Sequence, residues 1–295
     1  MRISVFYEHL REASQQTDRP ISEMLGEAHD CGINGIEIEF SVLLNQPSIR
    51  EDIVASGLEI SNMYQFFDFG NNYEEGLELG KKMIDYAAEN GIKRIMPIPG
   101  FLVEAEAKKM NAVSDDYEKL TAYFENNSEV LAMKDGMTEL CKYATEKGVS
   151  VSIEDFDDFK SPIARINQIK WFVENVPGLT HTLDMGNYAF SNEDVEEAYN
   201  VFKGRITHVH CKDRGEETET DKNIWDGVGV AYGKPLKFRK GLKPVPVGSG
   251  YIPIEKLVKE LLKEDYDGYF AVEHFGSPDQ LGFMKKSADF MKSIS

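Results

Sequence analysis

Four residues at the ends of apolar stretches could together hold a divalent cation. They are Glu154 closing Val149–Glu154, Asp184 closing Leu179–Asp184, His210 in Ile206–Arg214, and Glu273 in Gly268–Phe275. Each stretch has the bulk and length of a β-strand and places its charged residue last or nearly last. Three carboxylates brought to one point would repel and force protonation. Three oxygen donors and one imidazole instead suit Mn²⁺, Mg²⁺, Co²⁺ or Zn²⁺. A single acidic strand end in an acidic chain is ordinary loop polarity, so the signal is the coincidence over four consecutive strands. On the third of them, alternation puts Ile206, His208 and His210 on one face. His208 lies one layer deeper and reads as a hydrogen-bonded core residue.

The elements that must position these ends alternate along the chain. Strands are expected at Ile3–Tyr7, Gly35–Phe40, Leu58–Tyr64 and Lys93–Ile98, followed by the four above. Helices are expected at Ile21–Ala28, Ser48–Ala55, Asn72–Asn90, Asp115–Lys147 (interrupted near Asn126 and Asn127), Pro162–Val176, Glu193–Phe202, Pro253–Glu264 and Pro278–Ser293, with Gly100–Ser114 a longer loop. Eight strands alternating with eight helical segments, without a composition break, predict an α/β fold: a parallel eight-stranded (β/α)8 TIM barrel forming one domain over 1–295. An open doubly wound sheet is the competitor. The first strand–helix junction lacks G-x-G-x-x-G, which speaks against its dinucleotide-binding form. Barrel chemistry sits where strand C-termini meet the following loops, which is where the four candidates fall.

Composition bounds the rest. The 295 residues carry 51 acidic and 33 basic side chains, a formal charge of -18, with no Lys/Arg-dense stripe for nucleic acid. Cys31, Cys141 and Cys211 form no CxxC and fit reduced thiols, hence a cytoplasmic protein. No run approaches ~18 apolar residues, so neither export nor a membrane span is expected. A homo-oligomer is left open.

The chain resembles the xylose isomerase-like superfamily and, within it, the sugar phosphate isomerase/epimerase group that includes ketose 3-epimerases, hydroxypyruvate isomerases and inosose dehydratases. The matching pieces are Glu154, Leu183-Asp184-Met185-Gly186-Asn187, His208-Val209-His210-Cys211-Lys212-Asp213, Val247-Gly248-Ser249-Gly250 and Val272-Glu273-His274. The resemblance implies that Glu154, Asp184, His210 and Glu273 are metal ligands. It also implies that Glu154 and Glu273 exchange a proton α to a carbonyl, with the enediolate stabilised by a Lewis-acidic metal. Two positions depart from the ketose epimerase pattern: Asn187 replaces a histidine, and Lys160 an acidic residue.

The activity expected is therefore a metal-dependent isomerase or epimerase of a sugar, keto-sugar or polyol. The alternative is a dehydratase or lyase acting on a keto-cyclitol or 3-oxo-sugar, with Lys212, Asp213, His274 or Tyr188 as candidate acid for the leaving group. An AP-endonuclease-like phosphodiesterase or a non-catalytic binding barrel ranks lower. Candidate substrate-binding residues are Asn187, Lys212, Asp213, Arg214, His9, Glu39 and Trp225. Lys212 and Arg214 are placed for a phosphate; His9 and Glu37 or Glu39 are candidates for the mouth. The long βα loop at about 214–250, with Trp225 and Tyr232, is a candidate lid.

Overall fold

A computed structural model of the chain describes residues 1–216, 224–231, 234–239 and 242–295, with backbone alone over the described parts of 216–241. The strands are β1 (Arg2–Phe6), β2 (Gly35–Glu39), β3 (Glu59–Phe66), β4 (Arg94–Ile98), β5 (Ser150–Glu154), β6 (Leu179–Asp184), β7 (Ile206–Lys212), β8 (Arg214–Glu216), β9 (Ile224–Ala231), β10 (Lys234–Arg239), β11 (Leu242–Pro244) and β12 (Tyr269–Glu273). Eight close into a barrel in the order β1-β12-β7-β6-β5-β4-β3-β2, every pairing parallel. The (β/α)8 expectation holds. Barrel strands are covered on both faces, which is why β12 is buried along all of Tyr-Phe-Ala-Val-Glu.

The helices wrap this barrel because each has one apolar stripe. Tyr73–Glu89 buries Gly76, Gly80, Met83, Ile84 and Ala87, spaced at helical period. Its Gly80 is needed for close approach: a Cβ there would sit 2.5 Å from Cδ2 of Leu140, on the neighbouring helix Ser128–Lys147. That neighbour starts where the Asn127 side chain accepts the Val130 N–H at 3.0 Å, and stops at left-handed Gly148. The expected break near Asn126 is real, separating it from Tyr117–Phe124.

Other helical expectations need correction. Tyr7–Thr17 is a helix that starts directly on Phe6, still extended at φ -70 and ψ 137, so no turn residue marks its start. Phe40–Asn45 follows β2 in the same way. Glu104–Asn111 is a helix inside the expected Gly100–Ser114 loop; its acidic first turn and basic last turn suit the helix dipole. The helix expected from Pro162 begins only at Ile166, because the chain between them makes turns around Ser161, whose Oγ accepts from Ile163 N. After β7 the chain forms two antiparallel pairs, β8 with β11 and β9 with β10. Tyr232 lies outside the described residues, and Trp225 lies on β9, of whose side chains nothing is described.

Candidate metal centre and active site

Register brings the four strand ends together. β6 pairs with β7 so that Asp184 stands opposite His210, and β7 pairs with β12 so that Glu273 stands opposite Lys212. Glu154 closes β5, the next strand round the barrel. One donor atom from each of Glu154, Asp184, His210 and Glu273 lies within 4.8 Å of the others, and all four residues are buried. The His210 Nδ1 atom is the hub, 2.8 Å from Glu154 Oε1, 3.4 Å from Glu273 Oε2 and 3.8 Å from Asp184 Oδ2.

The donor set fits a divalent ion on the structure's own terms. Asp184 Oδ1 accepts the amides of Gly186 (2.7 Å) and Asn187 (2.9 Å), fixing the carboxylate, while Oδ2 is buried without a hydrogen-bond partner among the described residues. Glu273 repeats the pattern: Oε1 lies 2.7 Å from Lys212 Nζ, and Oε2 is buried and unpartnered. Orphaned carboxylate oxygens are costly, and both belong to the cluster. Burial pushes the Asp184 carboxyl well above its ordinary range, against Lys212, and the Glu273 and Glu154 charges add to the rise. Burial likewise raises Glu154, opposed by the His210 imidazole. A cation removes the repulsion that holds these protons.

Behind His210 lies Glu37, which had been a candidate only for the mouth. His210 Nε2 is 3.1 Å from Glu37 Oε2, His208 Nε2 is 2.8 Å from the same oxygen, and Asn62 Nδ2 donates to Glu37 Oε1 at 2.7 Å. Burial opposes the charge on Glu37, yet the His210 and His208 imidazoles hold its carboxyl well below the usual range. A carboxylate on the far nitrogen fixes which imidazole nitrogen faces the metal side and makes it a better donor.

Above the cluster, Lys212 Nζ donates to Asn187 Oδ1 at 2.7 Å, and Asn187 Nδ2 donates to Asp155 O at 2.8 Å. Arg214 reaches Asp157 Oδ2 at 2.9 Å and Asn187 Oδ1 at 3.2 Å. Asn187, Lys212 and Arg214 all line a cavity of about 370 Å³ together with Glu154 and Glu273. Gly186 makes this packing possible, since a Cβ there would meet the Lys212 carbonyl oxygen at 2.4 Å.

The other candidates lie elsewhere. The Asp213 carboxylate accepts the amides of Arg214, Gly248, Gly250 and Ile252 (2.7 to 3.3 Å), pinning the turn before the helix Ile254–Lys263. His9 is buried, its Nε2 accepting the His274 amide at 3.0 Å, and Glu39 accepts from the Ser41 hydroxyl at 2.6 Å. Sequence reasoning missed Asp157 and the wall opposite the charges. That wall is formed by Phe6 (β1), Tyr64 and Phe66 (β3) and Met96 and Ile98 (β4), closed by Phe156 and Phe275. Applying the strand-end rule to β1, β3 and β4 as well would have found Phe6, Phe66 and Ile98, the last residues of those strands.

Closed parallel barrel and strand-end cluster define a (β/α)8 protein with a buried group of carboxylates and a histidine able to hold a metal ion. Residues 25–294 match the family described as xylose isomerase-like TIM barrel, and the chain belongs to that family. A putative L-ribulose-5-phosphate 3-epimerase of Haemophilus influenzae is 25% identical over 272 residues, 85% of this chain and 82% of its own length. An inosose dehydratase of Bacillus cereus is 25% identical over 265 residues, 87% of this chain and 82% of its own. A xylose isomerase-like TIM barrel protein from Mycobacterium smegmatis, solved in complex with magnesium, shares the fold at TM-score 0.63. It is 18% identical and covers 92% of this chain and 87% of that one. No helix among the described residues is long and apolar enough to cross a membrane.

Proposed function

We propose that the protein is a metal-dependent isomerase or epimerase of a sugar, keto-sugar or related polyol, working by proton abstraction α to a carbonyl. The observation that carries this reading is the pair Glu154 and Glu273. They come from β5 and β12, on either side of β6 and β7, and both open onto one cavity. Glu154, Asp184, His210 and Glu273 would hold the ion, of the class Mn²⁺, Mg²⁺, Co²⁺ or Zn²⁺. When bound, it supplies Lewis-acid polarisation of a substrate carbonyl. The chain's own groups then divide the proton work. One glutamate takes the proton from the carbon beside the carbonyl, and the other returns one from the opposite side. Lys212, oriented by Asn187 and Glu273, donates a hydrogen bond to a substrate oxygen; burial opposes its charge, but Asp157, Glu273 and Asp184 keep it protonated. The aromatic wall keeps water from the reacting carbon.

A second reading, elimination, uses the same first step. It is favoured by the likeness to an inosose dehydratase over most of both chains and by the two cationic donors, Lys212 and Arg214, on the cavity wall beside Glu273. Both readings predict exchange of a substrate C–H with solvent. Mn²⁺-loaded protein in D₂O should place deuterium α to the carbonyl of a ketose, inosose or 3-oxo-glycoside, read by NMR, and Glu273→Gln should abolish it. Absence of exchange across such a panel, with stoichiometric metal bound, would sink proton abstraction. The product spectrum separates epimer from elimination product.

A further inference from the structure

The cavity has two unlike walls, and together they say what the far end of the substrate is made of. The charged wall carries no surplus positive charge: Lys212 is engaged by Glu273 and Asp157, and Arg214 by Asp157. Among the described residues at the site, Glu154, Asp157, Asp184 and Glu273 outnumber these two cations, and a divalent ion brings the set only to neutrality. A phosphate dianion needs cations free to meet it, and among the described residues the two cations on this wall are already paired with carboxylates. The opposite wall is apolar. Phe6, Tyr64, Met96 and Ile98 form a hydrophobic cluster separate from the main core, with Phe101 and Phe156 packed against it. Phe66 stacks on Phe101 (centroids 6.4 Å) and meets Phe156 edge-on (5.7 Å). Phe66 and Phe275 are nevertheless 41% and 39% exposed, and both face the cavity. Exposed apolar side chains beside a polar cluster, in one concave site, mark a surface kept for a ligand.

We propose that the substrate is an unphosphorylated keto-sugar derivative carrying an apolar ring as a substituent. Its oxo–hydroxyl end reaches the Glu154–Asp184–His210–Glu273 cluster, and its ring lies on Phe66, Phe156 and Phe275. This rests on the functional reading above and deepens it. A fully hydroxylated chain would turn its distal hydroxyls onto phenyl, thioether and alkyl surface, where each loses its water without a new partner. An aromatic substituent instead meets ring edges and faces in the offset geometries such groups favour.

The test is calorimetric titration of the Mn²⁺-loaded protein with phenyl β-D-glucopyranoside and methyl β-D-glucopyranoside, and with D-ribulose 5-phosphate as the phosphorylated probe. The glycosides present a diol in place of the oxo–hydroxyl end, so binding is read without turnover. Failure of the proton-abstraction reading, seen as absent deuterium exchange, is therefore a separate result. The phenyl glucoside should bind roughly ten- to a hundredfold more tightly than the methyl glucoside, the value of burying one such ring. Phe66→Ala, at a half-exposed position, should shrink that ratio severalfold, and thermal melting will confirm that the variant is folded. Equal affinities of the two glucosides, tighter binding of the phosphosugar, no detectable binding of either glucoside, or an unchanged ratio in Phe66→Ala would each overturn the proposal.

Discussion

The barrel mouth divides into halves built from the same backbone. β5, β6, β7 and β12 end in Glu154, Asp184, His210 with Lys212, and Glu273; β1, β3 and β4 end in Phe6, Phe66 and Ile98, with β2 between β1 and β3 ending in Glu39. In the charged half most polar atoms are hydrogen-bonded, and two of the unpartnered ones among the described residues, Asp184 Oδ2 and Glu273 Oε2, belong to the cluster able to hold a metal ion. In the apolar half contact is van der Waals and aromatic, and among the described residues Tyr64 is the one ionisable group on that side of the cavity wall. Burial raises the Tyr64 hydroxyl well above its ordinary value, and Glu8 and Glu39 raise it further. The lesson is a division of labour. In the proposed reaction one half handles charge and protons, and the other sets the shape and dryness in which they act.

Breaking the charged half should cost most. Glu154→Gln should lower turnover by roughly 10²- to 10⁴-fold, the usual range for a general acid–base group. Elemental analysis of the purified variant checks that the loss is not merely loss of metal. Next comes Glu37, which touches His210 from behind. Glu37→Gln should weaken metal binding by about 10- to 100-fold, measured by competition with a chelator, because the imidazole loses its charged partner. An unchanged metal affinity would show that His208, Asn62 and Glu37 serve only the core. The apolar half should answer in stability. Ile98→Ala removes a fully packed side chain that borders the cavity, so about 2 kcal/mol should be lost, at the low end for such truncations. Thermal melting reads that loss, and stoichiometric metal should remain bound.

The two halves were unequally legible in the sequence. Glu154, Asp184 and Glu273 stand out because a charge ends an apolar run, and the periodic strands place them at one end of a barrel. Phe6, Phe66 and Ile98 look like ordinary strand core, since alternation says which face a residue takes but not whether that face meets a neighbour or a cavity. Asp157 was hidden among Asp155, Phe156 and Asp158 in a loop without period. Glu37 was visible as a carboxylate on β2, yet only barrel closure shows that it stands behind β7, 171 residues from His208. Helices joined directly to strands, Tyr7–Thr17 and Phe40–Asn45, escaped because no Gly, Pro or Asn punctuates the junction.

Two histidines on adjacent strands sharpen the comparison at its smallest scale. His181 on β6 and His210 on β7 are both fully buried. Burial alone disfavours the imidazolium in each, but Glu37 and Glu154 flank His210 and raise it well above its ordinary value. His181 has only neutral partners at hydrogen-bond distance, Ile153 O at 2.9 Å and the Tyr188 hydroxyl at 3.1 Å, and burial lowers it to about 3. A histidine depressed on folding binds its proton more readily when unfolded. Its contribution to stability is therefore complete above the ordinary value of 6.5 and drains away as pH falls from there toward 3. Between pH 8 and pH 5.5 that drain should amount to about 1 kcal/mol from this side chain. His181→Gln cannot bind the proton, so its melting temperature should fall less than the wild type's over the same interval, by a few degrees at most. Parallel pH profiles for the two proteins would show that His181 is already charged in the fold, and that the carboxylates around His210 govern both strands.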